Sequence, residues 1–179
     1  DTRQQYNAHW QKILKSIKVF CVSEHNESTL MWSHYAKYHT GTCFKLKVMP
    51  EKDNPICVAK EVDYLPTPPC FFNVEEWIDS IVLAKEVDFS GLYYRYPLAK
   101  SDIWSYENEW RVWAPFEDDR NSYLDMPIKD GEIESIYFGI NADNKLTNEI
   151  INIAKEIGIV RFYKAAKKVE EYGLVYNEI

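Results

Sequence analysis

The chain has 179 residues, which is the size of one ordinary domain. Aliphatic, aromatic, Met and Cys residues make up 46% of it, which suffices for a hydrophobic core and excludes a disordered chain. Its 28 acidic and 21 basic side chains give a net charge of −7, which argues against nucleic acid or an anionic membrane as partner, because both are polyanions. No apolar run approaches the roughly 20 residues of a membrane span. We therefore expect a single compact domain over residues 1–179.

The start of the chain and its cysteines bear on processing and location. The chain begins at Asp1 rather than Met, and no signal-type apolar region follows, so we expect a trimmed or processed fragment. Cys21, Cys43, Cys57 and Cys70 show neither C-x-x-C spacing nor a His at ligand spacing, so no metal site is expected. Free thiols without an export signal predict a cytoplasmic protein, and disulfides stay open only if an unseen N-terminus directs export.

Helical and extended patterns alternate through the first half of the chain. Apolar residues at helical spacing predict a helix over residues 6–17, and a β-branched and aromatic run predicts a strand over residues 18–23. A helix is expected over residues 29–38, with Gly41 as its stop. Clean alternation then predicts a strand over residues 42–48, and another is expected over residues 56–64, before a cluster of prolines.

The second half predicts two further helices and four strands. One helix opens near Asn73, and the other covers residues 146–157 with Asp143 as its cap and Gly158 as its stop. Strands are expected over residues 107–114, 135–140, 160–165 and 173–176. The order predicts an α+β fold with a mixed, mostly antiparallel sheet of six or seven strands and about four helices. No Gly-rich phosphate loop is present.

An aromatic and histidine-rich block lies on the helix predicted over residues 29–38. Trp32, Tyr35 and His39 are spaced to share one helical face, and His34 lies about 100° away from Tyr35, at the edge of that face. One interpretation is an aromatic stripe packed on the sheet. The other is a pocket wall whose imidazoles bind a ribose or carry a proton.

A second block, residues 104–113, combines tryptophans with acidic side chains. As a strand it places Glu107, Glu109, Arg111 and Trp113 on one face, with the two carboxylates roughly 6–7 Å apart. One interpretation is a solvated face on which Arg111 partly neutralises the acids. The other is a concave site in which one carboxylate raises the pKa of its neighbour and creates a usable acid or base. A helix would instead pair Glu107 with Arg111.

Several of these blocks together resemble a bacterial family filed among domains of unknown function. They are a Cys-x-Ser strand end at residues 21–23, a Met-Trp-x-His-Tyr-Ala-x-x-His-x-Gly run at residues 31–41, and a Lys-x-x-x-Trp-x-Tyr-Glu-x-Glu-x-Arg run at residues 100–111. The resemblance covers roughly residues 20–140. Full-length relatives carry an N-terminal region with no counterpart here, so the resemblance implies that an N-terminal element is missing.

A weaker resemblance links Glu107-x-Glu109 to the E-x-E element of ADP-ribosyltransferases. It implies NAD as substrate, with no bound cofactor. Glu109 would stabilise the oxocarbenium-like ribose and Glu107 would activate the acceptor. The resemblance further implies a ligand pocket in which Trp32 or Tyr35 stacks on nicotinamide, His34 contacts ribose or phosphate, and Arg111 holds the carboxylates or meets the pyrophosphate. The remaining candidate pocket residues are Ser23, His39 and Trp104.

Three functions follow as hypotheses. The first is an NAD-dependent ADP-ribosyltransferase or NAD glycohydrolase, of the kind found among toxins and phage-defence effectors, acting on a small nucleotide with an unknown acceptor. The second is a non-enzymatic ligand-sensing or interaction domain with an aromatic and histidine pocket. The third is a hydrolase using the two carboxylates. The first requires Glu107 and Glu109 to face a cleft that His34 or Tyr35 also lines.

Overall fold

The computed structural model describes residues 15–69, 94–115 and 123–179 continuously, together with residues 8, 11–12, 75, 78–79 and 82–83. Within them lie two bounded α-helices, α1 (Thr29–Tyr35) and α2 (Asn144–Glu156). The strands are β1 (Ile17–Ser23), β2 (Thr42–Leu46), β3 (Lys60–Glu61), β4 (Asp63–Leu65), β5 (Ala99–Ser101), β6 (Glu109–Pro115), β7 (Ile133–Phe138), β8 (Phe162–Lys167) and β9 (Leu174–Glu178). Short 3-10 helices occupy Pro50–Lys52, Pro55–Val58, Tyr96–Leu98 and Asp102–Glu107.

The mixed α and β composition and the mainly antiparallel pairing are confirmed. The strands form three sheets rather than the single sheet expected, in the orders β1-β6-β3, β2-β7-β8-β9 and β4-β5. Among the strand pairs of the described residues, β4/β5 and β7/β8 alone are parallel. The strand expected over residues 56–64 is instead a 3-10 helix followed by two short strands, because Pro55 starts a turn that the Cys57 N–H closes on the Asn54 carbonyl.

The predicted number of about four helices is not reached in the described part of the chain. Two of the four, the one over residues 6–17 and the one after Asn73, fall mostly outside the described residues. The helix over residues 146–157 is confirmed as α2, since Asp143 accepts a hydrogen bond from the Leu146 N–H at 2.9 Å and Gly158 follows at φ 84°. Among the described residues, no helix combines the length and apolarity that crossing a bilayer demands.

The chain divides into two compact units. Unit 1 comprises Asp1–Ser23 and Ala59–Leu124, and unit 2 comprises Glu24–Val58 and Asp125–Ile179. Unit 1 contains the β1-β6-β3 and β4-β5 sheets, whereas unit 2 contains the four-stranded sheet and both α-helices. This division into units does not test the predicted single domain over residues 1–179, which stays a prediction.

Each face of the four-stranded sheet of unit 2 carries a buried apolar cluster. Successive residues of β7 point to opposite faces, so Ile136 and Phe138 pack into one apolar cluster and Tyr137 packs against the other. Helix α2 contributes Ala154 to the first cluster, and α1 contributes Trp32 to the second. The two faces of this sheet are therefore covered by different helices.

Unit 1 pairs β1 with β6 without a register shift, from Ile17 opposite Pro115 to Ser23 opposite Glu109. The strand predicted from residue 107 begins at Glu109, and Glu107 instead ends the 3-10 helix Asp102–Glu107. Asn108 separates the two elements in a left-handed conformation, φ 43°, and its N–H bonds the Ser105 carbonyl. Asn tolerates this conformation better than most residues, which explains why the strand starts after it.

Candidate functional site

A buried network of four charged side chains lies in unit 1. The ammonium of Lys100 donates to the carboxylate of Glu107 and to Oε2 of Glu109, the latter at 2.9 Å. Arg111 donates from Nε to Oε1 of Glu109 at 2.8 Å and from Nη2 to Oε2 at 3.0 Å. Glu107 is 2% exposed and Glu109 is 5% exposed. These four residues, Lys100, Glu107, Glu109 and Arg111, are called the charge network below.

The alternation of side chains along β6 explains the positions of two of the four residues of the charge network. Glu109 and Arg111 are two residues apart on β6, so they share a face as the sequence predicted. Lys100 comes from β5, and Glu107 comes from the 3-10 helix rather than from the strand. The network therefore joins three elements, and only the Glu109–Arg111 part of it follows from strand parity.

Backbone contacts hold the two glutamates in place. The Ser23 hydroxyl donates to the Glu107 carbonyl at 2.6 Å. The Glu109 N–H bonds the Tyr64 hydroxyl at 2.9 Å, and the Glu109 carbonyl accepts from the Val62 N–H at 3.0 Å. Ser23 thus sits beside the acidic residues, but its contact fixes a backbone position.

The electrostatics of Glu109 oppose the acid–base interpretation. Burial raises the pKa of Glu109, but hydrogen bonds from Arg111, Cys21 and Lys100 outweigh it and lower the pKa to about 2. At Glu109, therefore, the hydrogen-bond donors and not the neighbouring carboxylate set the direction of the pKa shift. The pKa values of its two cationic partners shift upwards. Burial lowers the pKa of Lys100 and of Arg111, but their hydrogen bonds and ion pairs with the carboxylates outweigh burial and raise both pKa values.

Cys21 and Trp104 complete the surroundings of the network. Cys21 lies opposite Arg111 in the β1/β6 register, and partial burial together with its hydrogen bond to Glu109 raises the pKa of its thiol to about 11. The thiol is therefore protonated at neutral pH. The Lys100 ammonium lies 5.3 Å from the centroid of the Trp104 ring, a cation–π distance. Trp104 thus contacts the network through Lys100.

A cavity of about 760 Å³ adjoins the network. Its apolar wall includes Ile17, Val19, Leu65 and a run of prolines, and both cations of the network line it. Neither glutamate is among its described lining residues. The cations therefore face the cavity while the carboxylates lie behind them, which is the reverse of the arrangement that the two-carboxylate hypotheses expect.

The aromatic and histidine block of unit 2 is arranged differently from the prediction. Helix α1 ends at Tyr35 because Lys37, Tyr38 and His39 all adopt left-handed conformations, with φ between 46° and 65°. Trp32 is 3% exposed and Tyr35 is 64% exposed, so Tyr35 does not share a face with Trp32 and His39 as predicted. The chain reverses before His39 can continue the helix.

Each aromatic residue of this block nevertheless has a defined environment. The Trp32 indole N–H donates to the Asn26 carbonyl at 2.7 Å and to the Tyr176 hydroxyl at 2.9 Å, within the core of unit 2. The His39 ring is parallel to Trp32, with centroids 6.4 Å apart, and its Nε2 lies 3.1 Å from the Ser33 hydroxyl. The exposed His34 contacts Tyr35 edge-on at 6.3 Å.

The predicted site residues thus fall into two groups. Unit 1 brings together Ser23, Trp104, Glu107, Glu109 and Arg111, and unit 2 contains Trp32, His34, Tyr35 and His39. Sequence reasoning assigned no role to Lys100, Cys21 or Tyr64, which contact the acidic pair. For Lys100, its place in the block over residues 100–111 was the signal that could have found it. Over the ranges that the structure describes, no three His, Cys, Asp or Glu side chains are grouped to hold a metal ion.

Comparison with known proteins gives one finding. Residues 31–112 match the family described as "Protein of unknown function (DUF2971)". This range begins at the aromatic and histidine block and ends just after Arg111, so it includes both long motifs of the sequence analysis. Neither a search of curated proteins nor a search of solved structures returned a match. The central part of this chain, residues 31–112, is therefore similar to a family of proteins of unknown function.

Proposed function

We propose that the cavity of unit 1 recognises a small organic anion that has an apolar body, which makes this chain a ligand-recognition protein. The observation that carries the proposal is that Lys100 and Arg111 line an otherwise largely apolar cavity while buried carboxylates hold them from behind. The proposal keeps the ligand-sensing hypothesis of the sequence and moves its site from the aromatic block to the charge network.

The size and lining of the cavity support binding of a small molecule. A volume of about 760 Å³ falls within the range of about 300–1,000 Å³ that is usual for ligand sites. Such sites combine apolar walls with a few placed polar groups, and here the placed groups are two cations. An amphipathic anion meets both requirements.

The count of N–H donors supports an anion in particular. Lys100 has three N–H donors, and its described contacts to Glu107 and Glu109 use two of them. Arg111 has five, and its described contacts to Glu109, to the Pro97 carbonyl and to the Cys21 side chain use four. The carboxylates also fix both cations in position, so binding a ligand costs little additional side-chain entropy.

The experiment measures binding of 8-anilinonaphthalene-1-sulfonate, a fluorescent probe with one sulfonate and an aromatic body. Val19→Trp fills the cavity from a strand position that is 44% exposed, so it leaves the charge network intact. We expect at least about a tenfold loss of probe affinity, because the apolar wall is occupied. Arg111→Lys keeps the charge but removes the two-nitrogen donor edge, and a loss of affinity is expected there too.

Val175→Trp is the matched control, since Val175 is a strand valine of unit 2 with 42% exposure. The control should bind the probe as the wild type does. Saturable probe binding that Val19→Trp leaves unchanged would show that the probe binds elsewhere and would refute the proposal. Circular dichroism of each variant confirms that the fold is retained.

A second candidate is reaction at NAD, as the E-x-E resemblance implies. The observation in its favour is that Glu109 stays ionised, with a pKa of about 2, since an ionised carboxylate stabilises an oxocarbenium-like ribose. The candidate also requires that Glu109 exchange Arg111 for substrate, which is why we rank it second. A toxin or phage-defence role belongs to this candidate alone.

Nicotinamide release from NAD by the folded, probe-binding protein tests this second candidate. If this candidate is right, Glu109→Gln abolishes nicotinamide release. The control variant Glu134→Gln alters a carboxylate that is paired with Lys45 in unit 2, and it should release nicotinamide as the wild type does. If the probe-binding wild type releases no nicotinamide, this chain does not cleave NAD by itself, and anion recognition is the function that it carries.

A further inference from the structure

We infer that the cavity of unit 1 takes a singly charged organic anion, a carboxylate, sulfonate or phosphodiester, and discriminates against a doubly charged phosphate monoester. The inference rests on the proposed recognition function and names the ligand class of that same site. It follows from the charge balance of the network and from the donors that the network leaves over.

The charge network is electrically balanced before any ligand binds. Lys100 and Arg111 contribute two positive charges, and the ion-paired Glu107 and Glu109 contribute two negative ones. All four side chains are at most 19% exposed, so water screens them weakly. A ligand therefore meets two cations whose field is largely cancelled by the carboxylates behind them.

The described wall of the cavity adds no further cation. Its other described residues are apolar or carry a hydroxyl, such as Thr67 and Ser101. Sites for doubly charged phosphates normally supply excess positive charge, from helix N-termini or clusters of arginines. In this cavity the first negative charge of a ligand gains hydrogen bonds from N–H donors, but a second one loses its hydration without a compensating positive charge.

The remaining donors also suit an acceptor with a single charge spread over two oxygens. Beyond the described bonds, which for Arg111 include one with the Cys21 side chain, Arg111 and Lys100 each keep one N–H. One N–H from each of two neighbouring cations suits the paired oxygens of a carboxylate, sulfonate or phosphodiester, because each oxygen then accepts one charge-assisted hydrogen bond. The two donors match one such group, which places the charged end of the ligand between Arg111 and Lys100 and its apolar body against Val19 and Leu65.

Two ligands with the same body isolate the effect of charge. At pH 8, naphthalene-1-sulfonate carries one negative charge and 1-naphthyl phosphate carries two. Each ligand is titrated, at constant ionic strength, into the protein saturated with 8-anilinonaphthalene-1-sulfonate, and displacement of this probe is measured. We expect the sulfonate to displace the probe at a concentration lower by about tenfold or more, because a second uncompensated charge in a weakly screened site is costly. Equal or tighter binding of the phosphate overturns the inference.

A charge variant tests the cause of the preference. Glu107→Gln removes one negative charge and keeps an oxygen that accepts from Lys100, so the network gains one net positive charge. The preference for the sulfonate should then shrink by about tenfold or reverse. Glu132→Gln removes an equally buried carboxylate of unit 2, 5% exposed, and should leave the preference unchanged.

The outcomes separate this inference from the proposed function. Probe binding with a phosphate preference in the wild type refutes the charge selection and leaves anion recognition in place. A preference that is the same in Glu107→Gln and in the wild type also refutes it, because the network charge then does not set selectivity. Failure of the wild type to bind any of the three anions refutes both. The wild-type comparison stands by itself if Glu107→Gln does not fold.

Discussion

Glu109 illustrates how burial and pairing compete at a single carboxylate. Burial alone would favour the neutral acid, yet donors from Arg111, Cys21 and Lys100 keep the group ionised. The carboxylate is therefore a fixed negative charge at neutral pH rather than a proton donor. Its role in this arrangement is to hold two cations at the wall of the cavity.

The depressed pKa of Glu109 predicts a specific acid sensitivity. The folded-state pKa, about 2, lies below the ordinary 4.5, so the stabilisation is complete above pH 4.5 and is lost as the pH falls from 4.5 towards 2. We expect Glu109→Gln to be less stable than the wild type at pH 7, on the order of a few kcal/mol. Urea unfolding at pH 7, 4.5 and 3 should show the gap narrowing with acid.

Glu134→Gln is the control for this pH series. Glu134 forms partly exposed ion pairs with Lys45 and Arg161, which typically contribute about 1 kcal/mol or less. Its stability difference from the wild type should be small at each pH. A Glu109→Gln deficit that stays constant from pH 7 to pH 3 would contradict the electrostatic explanation and point to packing instead.

Gly139 marks a close backbone approach in unit 2. A Cβ at this position would lie 2.1 Å from the carbonyl oxygen of His39, which is backbone and cannot rotate away. We expect Gly139→Ala to destabilise the protein by several kcal/mol, the scale of an overpacking or strain mutation. Thermal unfolding measures the effect.

Gly158→Ala is the comparison variant for Gly139→Ala. Gly158 has φ 84°, and a Cβ added there would meet no described atom within 4 Å, so only the backbone penalty of about 1–2 kcal/mol applies. The larger loss should therefore come from Gly139→Ala, although Gly139 does not have a positive φ. Equal losses in the two variants would be inconsistent with the close approach to His39.

At the scale of elements, the junction between the 3-10 helix Asp102–Glu107 and β6 positions the acidic pair. The exposed Asn108 turns the chain with φ 43°, and the elements on either side present Glu107 and Glu109 to one ammonium, that of Lys100. A continuous strand would have separated the two carboxylates along its face. The turn is therefore as important to the network as the charged residues are.

Substitutions at Asn108 test the junction. Asn108→Val places a β-branched residue in a left-handed conformation and should cost about 1–2 kcal/mol, whereas Asn108→Gly should be close to neutral. Because Asn108 is exposed, packing contributes little to either change. The valine variant should also bind the sulfonate probe more weakly, since it disturbs Glu107. Wild-type stability and probe affinity in Asn108→Val would contradict this role.

At the scale of the whole molecule, each unit is assembled from two separated segments. The chain passes between them three times, after residues 23, 58 and 124. Neither unit is a contiguous piece of chain, so we expect both to unfold in one cooperative transition, as the single-domain prediction requires. Calorimetry tests this by comparing the calorimetric enthalpy with the van't Hoff enthalpy.

Ligand binding provides a second measurement of that cooperativity. The sulfonate probe at 100 times its dissociation constant should stabilise the folded protein by about 2.7 kcal/mol, which corresponds to roughly 5–10 °C in Tm for a chain of this length. Gly139→Ala, in unit 2, should lower the same transition that the probe raises through unit 1. Two transitions, of which the probe shifts only one, would replace the single domain with two independent ones.

The sequence alone determined the features that depend on neighbours along the chain. Helix α2 follows from apolar spacing, the Asp143 cap and Gly158, and β1 follows from a β-branched run. Strand parity likewise placed Glu109 and Arg111 on one face. These signals are local because caps, periodicity and parity involve residues only a few positions apart.

Only the tertiary structure decided what the acidic pair does. Glu107 leaves the strand because of the turn at Asn108, and Lys100 reaches both carboxylates from β5. That contact depends on how three elements fold back on one another, and no periodicity encodes it. The direction of the pKa shift at Glu109 has the same origin, since it is set by the donors that the fold brings to the buried carboxylate rather than by its neighbour in the sequence.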